Sequence, residues 1–496
     1  MKEKQIDAAL TEKILNNYNS GVYDDVKPLR VSSIPDIDGE TILDLTKQEF
    51  SVSFDRSVVE ESLANINAPA DLIELGEPHN NTLTFSWESL HRIGTRLYPF
   101  FSYGILNGGS ATSYVDKKKN RSYSPVLFDM LFDIFESIEP MCKGNPKGIT
   151  PGYINPDHTP GVDYLILKLR SLLLEARRYQ QLFPHAEKEV PLFPLFQMTS
   201  PFTHEKVEKA FASYQENPFL QDLIEETGID ATKPLTGIQP LLAAFSHSSE
   251  GDVKFIFTEA HGKKDEVLAI PGGHGQNFSA LKECYQELYE KGKRFVSLGN
   301  VDNNGYTVNP VALALLALSG RQAGFEFSHK TQVDVKGGIL IYDQNNHLNC
   351  GDLGAAVSKE EIEKAESEGR PILFNCATAI FNLEYLVENI DYISEHLPMR
   401  FSDQEKDAGK YSQAEQITWE VIGLLDTMYI FAVNKYERFL AAKTLIENII
   451  SSGIALNNPE YPEELKEISR KLSSGLYNKL AGEYGLELTD GRWTKR

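Results

Sequence analysis

The sequence predicts an α/β fold with a mixed sheet, and three observations predict it. Apolar runs of strand length end in glycine, asparagine or aspartate, and they alternate with longer runs at helical spacing. That alternation favours a layered sheet covered by helices. A third signal, two apolar runs around a short polar turn, adds a hairpin and makes part of the sheet antiparallel. The chain divides into an N-terminal extension over 1–99, a core over 100–448 and a helical C-terminal tail over 449–496.

The elements follow in chain order. Residues up to about Pro99 mix helical patches with polar loops, among them the turn-like Ile34-Pro35-Asp36-Ile37-Asp38-Gly39. Gly104-Ile105-Leu106 reads as the end of a buried strand that runs into small residues, Asn107-Gly108-Gly109-Ser110-Ala111-Thr112-Ser113. Glycines there let the backbone approach a ligand closely, turn at φ > 0 and leave N–H groups free. Ser124 to Pro140 is an apolar segment able to form a helix. In Lys143-Gly144-Asn145-Pro146-Lys147-Gly148 the Pro-Lys-Gly tip projects an ammonium.

Phe255-Ile256-Phe257-Thr258 and Phe295-Val296-Ser297-Leu298 read as strands, and Ser279 to Lys291 and Val311 to Ser319 as helices. Between them, Pro271-Gly272-Gly273-His274-Gly275 is too rich in glycine for an element interior and holds one imidazole between close backbones. The second strand runs into Gly299-Asn300-Val301-Asp302-Asn303. Carboxylates at the C-terminal end of such a strand lie on the rim where open α/β sheets bind ligands. Gly337 to Tyr342 and His347 to Asn349 form the hairpin around Asp343-Gln344-Asn345-Asn346, and the tail after Lys443 is helical with a break at Asn457-Asn458-Pro459-Glu460.

Composition narrows the function classes. With 496 residues, 41% of them hydrophobic, the chain can bury a large core and more than one domain. A formal charge of -22 argues against a nucleic-acid partner, because phosphates are repelled by an acidic surface. Cys142, Cys284, Cys350 and Cys376 are scattered with no C-x-x-C pair, which points to neither zinc nor disulfides and suits a reducing cytoplasm. Met1 to Asp7 lacks a signal-peptide apolar core, and no apolar run is long enough to span a bilayer, so a soluble intracellular protein with no membrane partner is expected.

Taken in order, LNGGSATS at Leu106 to Ser113, GGHG at Gly272 to Gly275, GNVDNNGYTVN at Gly299 to Asn309 and HKTQVDVKGG at His329 to Gly338 resemble the UTP–glucose-1-phosphate uridylyltransferase group. This is the eukaryote-type UDP-sugar pyrophosphorylase superfamily, which also holds UDP-N-acetylglucosamine pyrophosphorylase. The resemblance spans roughly Tyr103 to Thr444. It implies a Rossmann-like nucleotide-diphospho-sugar transferase core and a Mg²⁺-dependent transfer of uridylyl from UTP to a sugar 1-phosphate, glucose 1-phosphate first, with release of pyrophosphate. It also implies site residues. Lys147, Lys443 and Lys330 would bind phosphates, and Asp302 would hold the metal. Leu106, Asn107, Gly108, Gly109, Gln239, Gly273 and His274 would take the nucleotide, with the Gln239 amide matching a uracil edge. Asn300, Asn375 and Asp352 would face the sugar. Thr199 and Ser200 are assigned to strand and turn structure, and Cys376 to the core.

The chain also departs from that family: between Tyr114 and Lys143 it inserts Ser124 to Pro140, as a lid or a surface insertion. Glu463 to Leu480 has helical spacing where many relatives carry a left-handed β-helix, so assembly through such a β-helix is not implied and the oligomeric state stays open. Ala111 stands where the family has glycine, and Asp352 is only the nearest carboxylate to the family's sugar-contacting Glu. Those two changes also suit a nucleotide-sugar binder without turnover. A glycosyltransferase would want Asp-x-Asp after a strand, but Asp36 to Asp38 lies in a Pro/Gly turn ahead of the nucleotide loop.

Overall fold

The computed structural model describes residues 4–26, 29–47, 49–184, 191–331, 334 and 336–496. Met1 to Glu3, and Gln332, Val333 and Val335 of the HKTQVDVKGG block, lie outside the described residues. Runs such as Phe101–Leu106 and Leu195–Thr199 are buried along their whole length, Ser102, Gln197 and Thr199 included, because both faces are covered, so neither shows alternation. They belong to a mixed sheet of 11 strands among the described residues. In chain order these are β1 Val31–Ser33, β2 Ile42–Asp44, β3 Phe101–Leu106, β4 Leu195–Thr199, β5 Leu235–Ile238, β6 Phe295–Asn300, β7 Ala323–His329, β8 Gly338–Asp343, β9 Leu348–Asp352, β10 Leu373–Asn382 and β11 Met428–Val433.

The main path runs β2-β11-β7-β10-β6-β3-β4-β5, with β8 pairing β1, β9 and β10 beside it. Four neighbours, β6, β3, β4 and β5, are mutually parallel. Their register sets Asn300 beside Leu106, Leu106 beside Met198, and Thr199 beside Ile238. Four C-terminal strand ends therefore finish in one row. β10 runs against both β6 and β7, and β8 and β9 form the expected hairpin.

Two large buried clusters cover the faces of the sheet. Helix Pro310–Ser319 is buried from Val311 to Leu318, because it lies between the sheet and the helices Arg56–Asn65 and Trp87–Arg96. Its approach to the second helix is so close that a Cβ on Gly94 would sit 1.8 Å from the Pro310 carbonyl oxygen. The Ser124 to Pro140 segment forms two helices, Pro125–Met130 and Phe132–Cys142. Their Leu127, Leu131, Phe135 and Ile138 share a core with Leu445, Ile446 and Ile449, so this insertion is packed against the C-terminal part of the chain.

Two expectations need correction. Phe255 to Thr258 is not a strand: Ile256 makes a single bridge to Phe245, Phe255 is half exposed, and pairing moves at once to Glu259 with Glu266. Nor is the tail wholly helical. After helix Glu463–Gly482 the strands Leu486–Thr489 and Arg492–Lys495 pair antiparallel around Asp490 and Gly491, both at positive φ, the geometry of a tight hairpin turn. Trp493 then packs edge-on to Tyr477 of the helix, at 5.2 Å between ring centroids.

The Gly94 contact yields a direct test. Gly94→Ala raises intrinsic helix propensity, yet it forces a methyl into a neighbouring backbone, so it should destabilise by about 1–3 kcal/mol. Chemical denaturation of the two proteins measures this; equal or greater stability in the variant would refute the packing.

Candidate active site

A cleft of about 480 Å³ opens at the row of parallel strand ends. Leu106 ends β3, with Gly108 and Gly109 after it; Met198 is near the end of β4, with Ser200 and Phe202 after it; Gln239 follows β5; Asn300 ends β6, with Val301 and Asp302 after it. Lys147, Pro271, Gly273 and His274 close the remaining sides. Open α/β sheets bind ligands at this position, where helices and loops diverge from the strand termini.

Backbone pairing brings Lys147 to the glycine loop. Its N–H donates to the Gly109 carbonyl at 3.0 Å, and the Ala111 N–H donates to Asn145 O at 2.8 Å. Gly108, Gly109 and Ala111 all have φ outside the positive region, so Ala111 is unstrained and its methyl is buried in the core under the insertion. The freedom that matters at Gly109 is steric: a Cβ there meets nothing within 4 Å, which leaves the loop surface open. Gly108 is held against the Gln239 Oε1, 3.2 Å from where its Cβ would lie.

Lys147 is 7% exposed, and three groups fix its ammonium. It lies 3.1 Å from the centroid of the Tyr114 ring, donates to the Ala442 carbonyl at 2.9 Å, and stands 3.9 Å from the Asp302 carboxylate. Burial pushes its pKa down to about 8, against the attraction of Asp302. Below that, Lys168 of helix Tyr164–Leu182 is fully buried and donates to the carbonyls of Asn303 and Tyr306. Burial also holds Lys168 well below the ordinary lysine range, and Asp302 opposes the shift. The turn that follows Asp302 is thus tied to a helix beneath the cleft.

His274 sits in a loop pinned to Gln416, through Gly275 N–H to Gln416 O at 2.8 Å and Gln416 N–H to Gly272 O at 2.9 Å. Gly273 must be glycine, with φ +82° and a Cβ position 2.3 Å from the Gln416 carbonyl oxygen. The Thr418 N–H donates to His274 Nδ1 at 3.0 Å, so the ring proton is on Nε2. Burial lowers the His274 pKa to about 4. Gln239 spends its donors on the protein, giving Nε2–H bonds to Gly273 O at 2.6 Å and Gln276 Oε1 at 3.0 Å. Its expected paired donor and acceptor are therefore reduced to an acceptor, Oε1.

Nine of the residues picked from the sequence thus meet in one cleft: Leu106, Gly108, Gly109, Lys147, Gln239, Gly273, His274, Asn300 and Asp302. The others lie elsewhere. Asn107 is buried beneath the loop, donating to Gln197 Oε1, with its own Oδ1 facing Gly148. Lys443 is exposed and lines a separate cavity with Lys119 and Lys336. Lys330 pairs with Glu366 at 3.4 Å. Asn375 is folded back on its own strand, accepting from Ala377 N–H, and Asp352 is exposed at the end of β9, where its backbone carbonyl accepts the Ala355 and Ala356 N–H groups. Tyr114, Met198, Ser200 and Phe202 were not selected as ligand contacts from the sequence; Met198-Thr199-Ser200-Pro201-Phe202 carries only the signal of a strand running into a turn.

The fold is similar to that of solved UDP-sugar pyrophosphorylases. The uridine diphosphate N-acetylglucosamine pyrophosphorylase of Trypanosoma brucei, solved with an inhibitor, aligns with a TM-score of 0.54 over 80% of each chain, at 13% identity, a likeness of fold alone. Residues 249–457 match the family model of UTP–glucose-1-phosphate uridylyltransferase. The chain is 26% identical over 238 residues to the enzyme of that name from Astragalus penduliflorus, covering 45% of this chain and 50% of the relative. To that from Solanum tuberosum it is 29% identical over 200 residues, covering 38% and 41%. The chain spans half or less of the length of these curated relatives. The family model takes in the GGHG, GNVDNNGYTVN and HKTQVDVKGG blocks, and LNGGSATS lies ahead of the matched residues.

The histidine geometry predicts a neutral ring. Because the folded pKa of about 4 lies below the ordinary value near 6.5, any stability linked to His274 is full above 6.5 and is lost as pH falls towards 4. Nitrogen-15 NMR should show the Nε2–H tautomer unchanged down to about pH 5. A ring that protonates near 6.5 would contradict the assigned environment.

Proposed function

We propose that the cleft transfers uridylyl from UTP to a sugar 1-phosphate, glucose 1-phosphate first, and releases pyrophosphate. The observation that carries this reading is the polarity of the cleft. Lys147 and Asp302 occupy one end, after β3 and β6, while the neutral Gln239, Ser200 and Phe202 occupy the other, after β4 and β5. Phosphates belong at the first end and the base at the second.

In the transfer, a phosphate oxygen of the sugar 1-phosphate attacks the α-phosphorus of UTP in line, and pyrophosphate leaves. Both reactants are anions, so catalysis is alignment and neutralisation of charge. The buried Lys147 ammonium, held by Tyr114 and Ala442 O, supplies a fixed cation that needs no rearrangement as charge moves. His274 presents an Nε2–H donor from the opposite wall, and Asn300 offers an amide beside Asp302. At the base end, Gln239 Oε1 accepts the uracil N3–H. Cytosine presents a lone pair at that position and would be repelled.

Mg²⁺ fits this set. It retains waters and typically takes one or two protein carboxylates plus substrate phosphates. Asp302 is the one carboxylate lining the cleft, and the described residues contain no cluster of three or more His, Cys, Asp or Glu suited to an all-protein metal cage. When bound, the ion would neutralise and orient phosphate oxygens. No helix among the described residues is long and apolar enough to cross a membrane; we place the activity in the cytoplasm on the reduced state expected for its cysteines.

Pyrophosphate release should require UTP, a sugar 1-phosphate and divalent metal, with EDTA abolishing it; a panel including N-acetylglucosamine 1-phosphate identifies the sugar. CTP should be used far less well than UTP, and equal use would remove Gln239 from the base site. UTP binding without turnover on any sugar phosphate would favour a binding protein instead.

Asp302→Asn and Lys147→Met should each lower turnover by about 10² to 10³ in folded protein. Since Lys147 is charged below a pKa of about 8 and neutral above it, kcat/KM should fall as pH rises through about 8, and Lys147→Arg should remove that alkaline limb. Near wild-type turnover in either variant would remove that residue from the site.

A further inference from the structure

We propose that the ring of Phe202 is the stacking platform for the pyrimidine base of the bound nucleotide, an inference that rests on the nucleotide reading of the cleft. Phe202 is 61% exposed, lines the cleft, and belongs to none of the aromatic pairs among the described residues. An apolar ring left in water contributes little to folding until something covers it. Its setting is nevertheless rigid. Ser200 Oγ donates to the Gly108 carbonyl at 2.9 Å, the Ser200 N–H donates to Thr203 Oγ1 at 3.0 Å, and the Thr203 and His204 N–H groups both donate to the Ser200 carbonyl. Pro201 fixes φ just before the ring. Phe202 is thus the exposed apex of a hydrogen-bonded turn whose anchors, Ser200 and Thr203, are buried.

Position identifies the occupant. The turn follows β4, beside Gln239 at the end of β5, so the ring is at the neutral end of the cleft and Lys147 and Asp302 are at the other. A phosphate gains nothing from an aromatic face. A flat base does, and its edge would meet Gln239 Oε1 while its face meets Phe202. Stacking of a base on an aromatic side chain is worth enough to change affinity by about tenfold or more. Stacking tolerates any base, so Phe202 would supply affinity and Gln239 selectivity.

Calorimetric titration of UTP and UMP into wild type, Phe202→Ala, Phe202→Tyr and Phe202→Leu tests this, with inorganic tripolyphosphate as a ligand that has no base. Because the side chain is exposed, all variants should keep the wild-type thermal midpoint. Phe202→Ala and Phe202→Leu should raise Kd for UTP and UMP by about tenfold or more, Phe202→Tyr should stay within twofold, and tripolyphosphate binding should be unchanged in all. UTP affinity unchanged in Phe202→Ala would overturn the stacking role, as would an equal loss for tripolyphosphate. A wild type that binds tripolyphosphate but neither nucleotide would overturn the nucleotide reading itself, and the platform with it.

Discussion

Two buried lysines and one carboxylate govern the architecture of the cleft. Removing an ammonium from water costs several kcal/mol unless partners replace the lost hydration. Lys147 meets that demand with a carbonyl, an aromatic face and Asp302 at 3.9 Å; Lys168 meets it with the Asn303 and Tyr306 carbonyls and the field of Asp302. Neither arrangement survives if the turn after β6 moves. The turn is accordingly tied on its other side too: Asn303 Nδ2 donates to the Arg438 carbonyl, the Leu440 N–H donates to Asn303 Oδ1, and the Asn304 N–H donates to the Leu440 carbonyl.

Those ties explain why distant stretches of sequence converge. Arg438 is partly buried and bonded to Glu326 of β7, with Thr307 also accepting from it. The pairing holds the segment that delivers the Ala442 carbonyl to Lys147. The helices of the Ser124 to Pro140 insertion then cover the same segment from outside through Leu445 and Ile449. The electrostatic end of the cleft is therefore a product of tertiary structure, whereas the neutral end is local: one turn after β4 and one amide after β5.

This difference decides what was legible in the sequence. Strand ends bearing glycine, asparagine or aspartate are local signals, and the residues they mark, Leu106, Gly108, Gly109, Asn300 and Asp302, line the strand-end cleft. The hairpin of β8 and β9 was equally local. Lys443 sits one residue from the carbonyl that touches Lys147, yet its side chain faces another cavity, because spacing along a chain does not fix side-chain direction in irregular backbone. Lys168 was not singled out from the sequence, although it stands inside the apolar run Tyr164-Leu165-Ile166-Leu167-Lys168-Leu169. Phe255 to Thr258 had strand composition but only a one-residue partner, and the Asp490-Gly491 turn was passed over within a tail judged by its helical spacing.

The central claim is the polarity of the cleft, with phosphates at Lys147 and Asp302 and the base between Gln239 and Phe202. A crystal structure with UTP, using Mn²⁺ as an anomalous stand-in for Mg²⁺, tests it directly. The account predicts an anomalous peak within coordination distance of Asp302 and a triphosphate oxygen, a phosphate against Lys147 Nζ, and uracil N3–H on Gln239 Oε1. A nucleotide bound in the opposite sense, or in a cavity away from the four parallel strand ends, would contradict it.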